Sequence, residues 1–126
     1  MNIYLFVANL VLTVVGLGLT AHAGWTGRRT RHFVLAGCTV ALLSAAIVQA
    51  ELFGRDFAFD PVRLRVHLTC AFAALFMLPG VVWSGVGLAR ARVRRAVHRR
   101  WVGAFVALTV AAMATAGWMF FNADPN

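Results

Sequence analysis

The chain has 126 residues, 61% of them hydrophobic and only 13% charged, where a soluble domain carries about a quarter charged residues. That balance excludes water as its main solvent. The net charge of +8 and a pI near 11.7 suggest a polyanion partner, until the positions of the charges are read.

The first apolar stretch covers residues 3–24 and contains no Asp, Glu, Lys or Arg. Ala21-His22-Ala23 has the A-x-A form of a signal-peptidase site. However, no basic residue precedes the run, it exceeds the about 7–15 residues of a signal core, and the positive charges follow it. It is read as a retained transmembrane helix, with Gly16 and Gly18 offering a contact face. The second stretch, residues 32–53, is uncharged apart from Glu51 near its end. The third, residues 66–89, has Gly80 and Ser84 at i, i+4 with Gly87 about one turn on, and Pro79 is expected to kink or loosen it. The fourth, residues 101–121, carries Ala112 and Ala116 at the same small-residue spacing. Each run reaches the ~20 residues needed to cross a ~30 Å hydrocarbon core. Backbone groups cannot stay unpaired in lipid, so runs of this length are expected to be helices. The expectation is an all-α integral membrane protein, an antiparallel four-helix bundle in one transmembrane domain covering residues 1–126, with spans of about 3–24, 32–53, 66–89 and 101–121.

Helix hairpins alternate sides, so the first and third loops share one. That side holds Arg28, Arg29, Arg31, Arg90, Arg92, Arg94, Arg95, Arg99 and Arg100, nine positives and no acid. The other side mixes Arg55, Arg63 and Arg65 with Glu51, Asp56, Asp60 and Asp124. The arginine side is therefore expected in the cytoplasm of a bacterial inner membrane, with both termini outside. The run RARVRRAVHRR, residues 90–100, is read as a short turn. It fixes topology and draws anionic head groups at ~1 kcal/mol per charge. An eleven-residue turn between two spans offers no surface for gripping nucleic acid. Membrane lipids are the expected partner, and no nucleic acid is. Cys38 and Cys70 fall in opposite leaflets, which excludes a disulfide between them.

Ionisable groups at membrane depth point to function. His22 ends the first run, His32 opens the second and His98 precedes the fourth, all on the arginine side. Imidazoles from three helices can bind copper or zinc, or supply axial ligands to heme b. Equally, they can be interfacial histidines that bind nothing. The arginines disfavour a second cation but suit heme propionates. His67 begins the third run on the opposite side, ~30 Å away at 1.5 Å per residue, and so cannot share one ion with them. There it can meet Gln49 and Glu51, as a metal pair or as a hydrogen-bonded end of the bundle. No close-spaced ligand motif sharpens these alternatives, and no nucleophile–base pair is recognised, so the chain is read as a non-enzyme.

Residues 31–54 and 65–120 resemble the CtaM-like family of small four-helix membrane proteins. The likeness rests on His32, on His67 early in the third helix, on Leu78-Pro79 and on His98-Arg99-Arg100 before the last helix; it departs where the family's Thr-Gly reads Thr115-Ala116-Gly117. Family members often carry a further His after the second helix, where this chain has Gln49 and Glu51. The resemblance implies an accessory role in assembling a larger complex, a heme–copper terminal oxidase of the respiratory chain, by handling heme or copper. A small b-type cytochrome and a cofactor-free structural subunit are the other expectations.

Overall fold

A computed structural model describes residues 2–121 and 123–125. It is all-α apart from one two-residue ladder, with helices α1 (Ile3–Trp25), α2 (Arg29–Gly54), α3 (Pro61–Ala89) and α4 (Arg95–Phe120). All four are long and apolar enough to cross a membrane, as the sequence predicts. Strand β1 (Phe57–Ala58) pairs with β2 (Asp124–Pro125).

The helices extend past the apolar runs at their polar ends. α3 begins at Pro61, whose missing N–H costs nothing in a first turn. Asp60 caps it, its carboxylate accepting from the Val62 and Arg63 N–H groups at 3.1 and 3.0 Å. α4 begins at Arg95, so the run of residues 90–100 is a five-residue turn followed by six helical residues, rather than a turn throughout.

The chain packs as two units, residues 1–57 and 58–126. Each is a hairpin of two antiparallel helices, α1 with α2 and α3 with α4. In the first, Gly16 lets α1 approach α2 so closely that an added Cβ would lie 2.8 Å from Thr39 Oγ1, whereas Gly18 faces open space. Thr13, Ala23, Thr39 and Ala46 are buried along this seam, and the Phe6 and Phe53 rings stack 5.6 Å apart. The Asn9 amide donates to the Leu42 carbonyl at 3.3 Å and to Gln49 Oε1 at 2.8 Å. Thr20 and Thr39 meet at 3.1 Å, although each hydroxyl also reaches the carbonyl four residues back in its own helix.

In the second hairpin, Ala74, Ser84, Phe105 and Met119 are buried. The expected small-residue stripe faces α4 and the turn before it: an added Cβ at Gly80 would meet the Trp101 ring of α4, and one at Gly87 the Val93 side chain of the turn. α3 runs unbroken through Pro79. Most large apolar side chains of both hairpins point outward, Phe76 at 74% exposure and Trp83 at 61%. Water would penalise that arrangement heavily, while lipid does not.

Candidate functional site

The first helix of each hairpin stops in the same way. Past Trp25, Gly27 adopts φ +72°. Its N–H reaches the Gly24 carbonyl and that of Arg28 the Ala23 carbonyl. Past Ala89, Ala91 adopts φ +54°, with its N–H on the Leu88 carbonyl and that of Arg92 on the Gly87 carbonyl. Both are Schellman motifs, which satisfy carbonyls that would otherwise be orphaned. The second helix of each hairpin then starts on one pattern. Arg28-Arg29-Thr30-Arg31-His32 and Arg94-Arg95-Ala96-Val97-His98 both read Arg-Arg-x-x-His, with the helix beginning at the second arginine. This repeat is visible in the sequence but escapes a reading that counts the arginines only as charge.

The repeat brings each histidine onto the preceding helix. His32 Nδ1 lies 2.8 Å from the Thr20 carbonyl oxygen. A carbonyl only accepts, so Nδ1 carries the proton, and in the neutral ring Nε2 carries the lone pair. Gly24 leaves the space for this ring, since a Cβ there would stand 3.0 Å from Nδ1. His98 Nδ1 lies 2.9 Å from Ser84 Oγ. The Ser84 hydroxyl can donate to the Val81 carbonyl at 3.1 Å, which leaves its oxygen to accept from Nδ1–H. An added Cβ at Gly85 would stand 3.2 Å from the His98 ring.

His67, near the start of α3, follows the same rule. Its Nδ1–H donates to the Ala112 carbonyl at 3.0 Å, with Thr115 Oγ1 at 3.4 Å. The Thr115 hydroxyl donates back to the Ala111 and Ala112 carbonyls. The other two candidate ligands are placed differently. His22 is exposed on the last turn of α1. Glu51 is exposed and pairs with Arg55 on its own helix at 3.3 Å. Gln49 is engaged by Asn9. Among the described residues, no group of three or more His, Cys, Asp or Glu stands close enough to hold a metal ion.

The arrangement fixes three imidazole rings through Nδ1, the way a carbonyl or hydroxyl orients a histidine ring from one nitrogen. Ser84 and His98 have the separation of a nucleophile–base pair, which residue types alone did not reveal. Ser84 is 0% exposed, so its hydroxyl is buried at the seam between α3 and α4. The pair holds the ring in place. No protein-family pattern, no curated protein and no solved structure matches the chain.

Proposed function

We propose that the chain is an integral membrane accessory protein that assists assembly of a heme–copper respiratory oxidase, handling heme or copper as cargo through His32, His67 and His98. The observation that carries the reading is the shared anchorage of these three rings through Nδ1, which holds each imidazole in one place on a neighbouring helix. The resemblance at His32, His67, Leu78-Pro79 and His98-Arg99-Arg100 supplies the oxidase. In this reading His22 and Glu51 are secondary ligands, and the protein performs no catalysis of its own. Its arginine-rich turns face the cytoplasm of a bacterial inner membrane and its termini face outward.

The test is purification of the full chain in mild detergent, followed by an absorption spectrum, copper analysis, and titration with hemin and with Cu(I). Stoichiometric binding that is lost in His32→Ala or His98→Ala, or at a separate site in His67→Ala, supports the proposal. A colourless protein that takes up neither ligand overturns it and leaves the structural-subunit reading. A tightly held heme that cycles reversibly between redox states, with no transfer to apo-oxidase, makes the chain a small b-type cytochrome instead.

A further inference from the structure

A second feature lies on the surface of the second hairpin. Val97, Arg100, Trp101 and Ala104 follow one another at helical spacing along one face of α4, and with Met77 of α3 they line an open groove of about 300 Å³. The groove runs from the first turns of α4 into its apolar length. Its walls are apolar, and Arg100 is its only charged lining residue. Trp101 fixes the inner wall, because its ring is seated against Gly80, where no Cβ would fit. Around this end stand Arg90, Arg92, Arg94, Arg95 and Arg99 as well, with no acid between Asp60 and Asp124. Helix α4 starts without a side-chain cap and with arginines at its positive end, an arrangement that the helix dipole opposes and a bound anion relieves.

We infer that this groove is a binding site for one anionic phospholipid, its phosphate held by Arg100 and its acyl chain laid along Trp101, Ala104 and Met77. A planar guanidinium grips a phosphate in two hydrogen bonds, and an apolar slot leading away from it accepts a hydrocarbon chain at the same depth as the surrounding lipid. This is more specific than the general pull of the arginine cluster on an anionic surface, which needs no groove.

The experiment uses the full chain in mild detergent with Trp25, Trp83 and Trp118 changed to Phe, so that Trp101 alone fluoresces. It is titrated with phosphatidylglycerol or phosphatidylcholine brominated on the acyl chain. Brominated phosphatidylglycerol should quench Trp101 at a concentration roughly tenfold lower than the zwitterionic lipid, the worth of one charge-assisted contact. Arg100→Gln should remove that preference while Arg92→Gln, which alters an exposed turn arginine outside the groove, keeps it. Ala104→Phe, which fills the slot without touching charge, should weaken quenching by both lipids. Equal quenching by the two lipids in the unaltered protein overturns the inference. So does an equal loss in the Arg92 and Arg100 variants, which would assign the effect to diffuse charge, or unchanged quenching in the Ala104 variant. Displacement of the lipid by hemin, with a Soret band lost in Arg100→Gln, also overturns it and makes the groove a heme site.

Discussion

The two hairpins carry the same device in different materials. In the first, His32 is anchored to a main-chain carbonyl, that of Thr20, and the turn before it uses glycine at the left-handed position. In the second, His98 is anchored to a side chain, Ser84, and alanine occupies the left-handed position. A carbonyl has no proton to give, so it fixes one tautomer of the neutral ring. A hydroxyl can donate or accept, so Ser84 selects one tautomer of His98 only while its own proton goes to the Val81 carbonyl. The first anchor belongs to the backbone and the second to a side chain. The second is also the more vulnerable to mutation, because a side-chain anchor can be deleted and a carbonyl cannot.

The sharpest way to break the comparison is at the glycines. Gly80→Ala drives a methyl into the Trp101 ring and should destabilise the second hairpin by about 1–3 kcal/mol. Gly18→Ala in the first hairpin meets nothing and should be neutral or stabilising by up to about 1 kcal/mol. Loss of helical circular dichroism against SDS fraction measures both, and equal effects would remove the packing argument. The next change is at the anchor. Ser84→Ala strands the His98 N–H and should cost about 1–2 kcal/mol. Proton-coupled nitrogen NMR should then show His98 sampling both tautomers while His32 keeps Nδ1–H. If His98 keeps a single tautomer in the variant, Ser84 is not what sets it. The smallest effect lies at the turns, as a pair of opposite sign. Ala91→Gly should stabilise by up to about 1 kcal/mol, and Gly27→Ala should destabilise by about 1 kcal/mol. Matching signs would show that the two turns are not equivalent.

The four spans were legible because lipid imposes one rule on the backbone and composition reports it directly. Their ends were less so. Residues 61–65 and 95–100 are helical yet too polar to register as membrane, since the backbone bonds continue after the hydrocarbon stops. The histidines stood out by type and depth. Their anchors did not, because the Thr20 and Ala112 carbonyls are acceptors that every residue owns and no sequence pattern marks. Ser84 was noticed as a small residue at a helix seam, and its hydroxyl partner across the turn needed the fold. The Asn9–Gln49 bond is hidden for the same reason: forty positions separate the two residues, and nothing local connects them.

The turn between α3 and α4 has one more consequence. It and the first turns of α4 hold Arg90, Arg92, Arg94, Arg95, Arg99 and Arg100, and each arginine at mid-bilayer adds about 2.5–3.5 kcal/mol even on the mildest insertion scale. Hauling that knot through the hydrocarbon would oppose inversion by well over about 10 kcal/mol. A molecule threaded upside down at birth would right itself only by lifting that whole knot through the oil, so its two orientations would trade places slowly.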